Sequence, residues 1–140
     1  MARRVREGDL YAVALGDGLE ALCRVLYKSS YFRNVVLMGC YGLAGREGAC
    51  SEKALSLISP PTYTGCEKKV TASWRLISTR DLSTEEKNLS KRIVGGSVWI
   101  GDSHIGPASA VESSTLPKMS VYASKLFIKK LRQECLNEKA

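Results

Sequence analysis

The chain has 140 residues, 44% hydrophobic and 25% charged, the balance of one folded domain rather than of a disordered, collagenous or coiled-coil chain. Its 21 Lys and Arg against 14 Asp and Glu leave a formal charge of +7, which favours polyanions or an acidic protein face as partners. The longest apolar runs, such as the one inside Asn34–Gly39, fall far short of the roughly 18 to 20 residues of a membrane span, so no membrane helix is expected.

The opening residues Met1 to Arg6 carry the positive charge of a signal peptide, but Glu7-Gly8-Asp9 stands where its apolar segment should be, and a cytoplasmic location is expected. A β meander is predicted over 8–41. Leu10 to Leu15 is apolar, and Gly16-Asp17-Gly18 supplies a turn whose glycines tolerate positive φ. In Leu19 to Tyr27, alternation puts Ala21, Cys23, Val25 and Tyr27 on one face and Glu20, Leu22, Arg24 and Leu26 on the other. Asn34 to Tyr41 is apolar on both faces and reads as a central strand.

Residues 42–68, with Gly42, Gly45, Gly48 and Pro60-Pro61, read as an irregular connection, holding at most a short helical turn over Glu52 to Leu57. A strand is expected over Lys69 to Thr79 with Val70, Ala72, Trp74 and Leu76 on one face and Trp74 in the core. Ser83 three residues before Glu86 forms a capping-box signature that opens a short helix, Thr84 to Lys91. Ser97 to Gly101 is another strand, closing the 69–101 region, and Gly106-Pro107 ends the turn after it. From Pro117 to Leu136 there is no interior Gly or Pro, and Ala123, Phe127, Leu131 and Cys135 recur every four residues, the stripe of an amphipathic helix. The expected fold is a single α+β domain, residues 1–140. It is a mainly antiparallel sheet curled toward a half-barrel, with the C-terminal helix 117–136 packed on it.

Cys23, Cys40, Cys50, Cys66 and Cys135 form no C-x-x-C pair, which argues against a zinc site or a disulfide framework and for reduced thiols. The single histidine, His104, lies in Asp102-Ser103-His104, where neighbours in a loop point apart and cannot assemble a triad. Gly42, Gly45 and Gly48 match no phosphate loop, and no metal-ligand spacing exists. The residues therefore predict no catalytic site, no metal and no cofactor. Binding is the expected class, and Tyr31, Phe32, Arg33, Trp99 and His104 are the candidate partner-binding residues, because exposed aromatics and Arg bury area at low entropic cost. Core packing is the alternative for the aromatics, and the weightier one for Trp99.

Gly8-Asp-Leu-Tyr-Ala-Val-Ala-Leu-Gly-Asp-Gly18, then Cys23-Arg-Val-Leu26, resembles the opening hairpin of the immunity protein 26 family of bacterial polymorphic toxin systems. Trp74, Val98-Trp99-Ile100-Gly101-Asp102 and Leu116-Pro117-Lys118-Met119 extend the resemblance. The chain departs from that pattern at Ala14, where the family has proline, and lacks its glycine near Cys23. The resemblance implies a mostly β cytoplasmic immunity protein that binds and neutralises the C-terminal domain of a cognate toxin, often a nuclease, without catalytic residues of its own. A positively charged inhibitor suits an acidic toxin face or a contact away from the toxin's active site. The alternative is a small basic nucleic-acid-binding module. Its basic residues are spread along the chain without a stripe interleaved with aromatics, so only weak, non-specific affinity for nucleic acid is expected.

Overall fold

A computed structural model describes residues 5–30, 32–44 and 57–139. In chain order these form β1 (Asp9–Gly16), β2 (Leu19–Lys28), β3 (Val35–Leu43), β4 (Thr62–Gly65), α1 (Lys68–Thr71), β5 (Trp74–Thr79) and α2 (Thr84–Asn88). There follow β6 (Arg92–Val94), β7 (Ser97–Ile100), β8 (Ser103–Pro107), α3 (Ala110–Thr115), β9 (Val121–Tyr122) and α4 (Ser124–Lys139). The larger sheet has the order β5-β1-β2-β3-β4-β9, antiparallel throughout except for the parallel β4–β9 pair. A second sheet, β6-β7-β8, is an antiparallel meander. The protein is thus α+β and mainly antiparallel, and its sheets close into no barrel among the described residues. No helix there is long and apolar enough to cross a membrane.

The first turn follows from its residues: Gly16, Asp17 and Gly18 all take positive φ, at 95°, 54° and 77°. Such angles suit glycine and the short Asp side chain. One face of β1–β3 receives α4, and Val13, Cys23, Val25 and Cys40 pack there with Phe127, Leu131 and Cys135. Burying side chains the size of Phe127 and Leu131 stabilises by roughly 1.5–3 kcal/mol each. Arg132, on the same helix, donates to the carbonyls of Leu15 and Gly16 and pairs with Asp17 at 2.7 Å, so the last helix clasps the first hairpin.

Simple alternation holds for Ala21, Cys23 and Val25 but fails at Tyr27. The β2–β3 register shifts between Val25 and Tyr27, leaving Leu26 as an extra residue. A bulge of this kind turns the following side chains to the other face. Tyr27 accordingly packs with Leu26, Leu37 and Tyr63 in a second cluster.

Several expected boundaries are corrected. The 42–68 connection contains a strand, β4, whose short run Thr62-Tyr-Thr-Gly65 is recruited by pairing with the edge of β3. The predicted turn beginning at Glu52 lies outside the described residues. The strand expected from Lys69 begins only at Trp74, because Lys68–Thr71 winds into α1. Trp74 is buried as expected, but Leu76 and its neighbour Ile77 are both exposed, because β5 is an edge strand whose register against β1 shifts between Leu10 and Tyr11. Ser103–Pro107, read as a turn, is β8. The helix expected from Pro117 starts at Ser124, because the backbone before it is already committed. Ile93 N–H donates to Pro117, Met119 N–H donates to Ile93, and β9 pairs with β4. Ala123 is consequently exposed ahead of the helix, while Phe127, Leu131 and Cys135 are buried as the stripe predicts. Both halves of the Ser83–Glu86 capping box form, and α2 runs Thr84–Asn88.

Candidate functional site

The candidate partner-binding residues sit on two surface segments, the β2–β3 loop and the β7–β8 hairpin. Phe32, 46% exposed, follows a turn in which its N–H donates to Ser29 Oγ, and Arg33 beside it is exposed. Tyr31 lies outside the described residues. Trp99 and His104 are cross-strand partners on the hairpin, with ring centroids 5.1 Å apart in an edge-on arrangement. His104 is exposed and Trp99 only half-buried, so Trp99 is not the core residue that its apolar neighbours favour.

The two segments are joined by a residue absent from the expected set, Asp102. It occupies the β7–β8 turn, after Gly101 with φ of 56°. Its carboxylate accepts hydrogen bonds from the Tyr27 hydroxyl and from the Ser30 backbone N–H at 3.2 Å, and a third from the Ser30 hydroxyl. Charge-assisted bonds of this kind are about twice as strong as neutral ones. Burial works against ionisation of Asp102, but the bonds from Ser30 and Tyr27, with the nearby Arg92 charge, outweigh it and hold the carboxyl below its ordinary value. Tyr27 moves the other way: burial first, then the bond to Asp102, raises its phenol.

The turn is itself anchored. Gly101 N–H donates to Ser90 Oγ at 2.7 Å, and Arg92 Nη1 donates to the carbonyls of Gly101 and Ser90. Arg92 is 2% exposed and lies over the rings of Tyr27 and Tyr63, 5.0 and 5.5 Å from their centroids. The loop carrying Phe32 and Arg33 and the hairpin carrying Trp99 and His104 are therefore fixed to one frame. A cavity of about 390 Å³ opens beside this frame, lined by Tyr27, Lys87, Ser90 and Asp102.

Asp102, the carboxylate nearest His104 in sequence, is spent on Tyr27 and Ser30, and the His104 imidazole makes no hydrogen bond to another described residue. Among the described residues, no nucleophile–base pair is therefore assembled around the histidine. No group of three His, Cys, Asp or Glu side chains among the described residues could hold a metal ion. Cys23, Cys40, Cys66 and Cys135 are all buried. The sequence holds one hint of the clamp, an Asp after Gly in a turn, but its partner Ser30 is 72 positions away and no local pattern links the two.

No family model matches the chain, and neither a curated protein nor a solved structure matches it.

Proposed function

We propose that the protein is an immunity protein, which binds the C-terminal domain of a cognate toxin and neutralises it by protein–protein contact. The observation that carries this reading is the Asp102 clamp, which holds two aromatic and basic surface segments in one pre-organised arrangement. Pre-organisation lowers the entropic cost of association, and Phe32, Arg33, Trp99 and His104 are the residue types that supply interface anchors. The reading assigns no catalytic role and no cofactor, and its setting is the cytoplasm. The excess of cations suits a toxin domain with an acidic face.

The test is co-expression with the C-terminal domain of whatever large secreted protein a neighbouring reading frame encodes, paired with a calorimetric titration of the two purified proteins. Protection with a stable complex is expected, weakened about tenfold or more by Phe32→Ala or Trp99→Ala. Cells left unprotected by the wild-type protein, with no heat of binding, overturn the reading. Sub-micromolar binding of a labelled single strand at physiological salt, lost in the folded Trp99→Ala variant, favours a nucleic-acid-binding module instead.

A further inference from the structure

A second concavity, of about 450 Å³, lies between the β4–β9 pair and the start of β6 and shares Arg92 with the frame of the Asp102 clamp. Four cations line it, Lys91, Arg92, Lys118 and Lys130, and no carboxylate does. Lys130 is balanced by Glu134 at 2.9 Å. Lys91 and Lys118 have no carboxylate within ion-pair distance among the described residues, and the Lys91 charge reaches Glu112 only through space. Arg92 forms the floor, and its Nε is a buried donor with no hydrogen-bond partner.

The walls are built from backbone. Lys118 is held against β6 by its bridge to Ile93 and by the bonds of Pro117 and Met119 to the same residue. Opposite, Thr64 Oγ1 donates to the Tyr122 carbonyl at 3.0 Å, and Tyr63 donates to the Ser90 carbonyl at 3.2 Å. Leu37, Pro60, Pro61 and Pro117 give the groove apolar sides, which strengthen any charge interaction made there.

We infer that this groove takes an extended, carboxylate-rich segment of the protein partner, an inference that rests on the protein-binding reading above. Charge complementarity selects an anion, and the aromatic geometry selects against a nucleic acid. Stacking needs a free ring face. Tyr63 is 7% exposed beneath Arg92, and Tyr122, the one exposed ring among the described lining residues, has Lys130 over one face at 5.9 Å, so successive bases find no run of open rings. What remains available is a set of cationic donors over apolar walls, suited to carboxylate side chains.

The probe is a fluorescein-labelled octapeptide of alternating Glu and Tyr, with a matched Gln and Tyr peptide, titrated by anisotropy at about 0.15 M salt. The acidic peptide is expected to bind at least about tenfold more tightly than the amide peptide, and Lys91→Glu with Lys118→Glu, both on side chains outside the core, is expected to abolish that preference. Equal binding of the two peptides, an unchanged preference in the double variant, or tighter binding of labelled oligo(dT) overturns the inference. The co-expression assay separates the two proposals. A double variant that protects as fully as wild type removes the groove from the contact and leaves the immunity reading standing, whereas an unprotected wild type removes that reading while the peptide titration still reports on the groove.

Discussion

The sulfur atoms of Cys40 and Cys135 lie 3.8 Å apart in the core, one on β3 and the other on α4, across 95 positions of sequence. Cys23 stands directly opposite Cys40 in the β2–β3 ladder. The Cys135 contact favours the Cys40 thiolate, but Cys23 and burial outweigh it and push the Cys40 thiol well above its ordinary value. These thiols act as small apolar side chains that join sheet to helix.

The first prediction concerns their reactivity. Iodoacetamide at neutral pH should spare Cys23, Cys40 and Cys135 in the folded protein and alkylate all three in guanidinium, as read by peptide mass spectrometry. Rapid native alkylation of Cys40 would contradict the burial and the thiol chemistry together.

Acid should unfold the protein partly through Glu86. Arg80 grips its carboxylate with two bonds of 2.7 and 2.8 Å, which outweighs burial and, with the Ser83 N–H, lowers its pKa from 4.5 to about 2. The folded state thus holds fewer protons than the unfolded state between these values. The contribution is complete above pH 4.5 and is lost as pH falls toward 2, and it amounts to roughly 3 kcal/mol. Glu86→Gln keeps the capping geometry but removes the charge. Urea melts at several pH values should find it less stable at neutrality and with a flatter acid limb than wild type.

Gly8 is a position where no side chain fits. Its φ is 90°, and a Cβ built there would meet the Arg80 carbonyl oxygen at 1.9 Å, while the same backbone segments are bonded from Arg80 N–H to Gly8 and from Gly8 N–H to Val25. Gly8→Ala combines an unfavourable φ with a clash against main chain and should cost about 3 kcal/mol in a chemical denaturation experiment. Gly18, with φ of 77° but open space around it, supplies the comparison. Gly18→Ala should cost only the φ penalty, roughly 1 kcal/mol.

Asp102→Asn tests the clamp. An amide can accept from Ser30 or Tyr27 but brings no charge, so the loss should be roughly 1–2 kcal/mol. The more telling measurement is hydrogen exchange. Amides of Ser30, Phe32 and Arg33 should exchange faster in the variant, with β1 and α4 unchanged. Unaltered exchange in the loop would mean that Asp102 does not hold it.

Much of the fold was legible because it is written locally. The meander has its alternation and its Gly-Asp-Gly turn, α2 has its capping box, and the α4 stripe is a four-residue repeat. The misreadings came where a distant partner decides. Thr62–Gly65 has no strand signature until β3 offers an edge, and residues 117–122 are helix-compatible until β6 and β4 claim their backbone. The α3 cap, Ser109 with Glu112, was readable by the rule that found α2. Of the candidate site, Phe32 and His104 are exposed as an interface requires, whereas the Asp102 clamp and the groove over Arg92 are products of tertiary contact.

The place of α4 after every strand in the chain sets an order of events during synthesis. Residues 124–139 are made after every strand they cover, so the apolar face of β1–β3 stays unroofed until they emerge. The pairing of β1 with β2 and of β2 with β3 is local in sequence, but its shelter depends on contacts spanning more than a hundred positions, which form late and slowly. A nascent chain paused before Phe127 would present the sheet without its cover, the kind of exposed apolar surface on which chaperones act and aggregation begins.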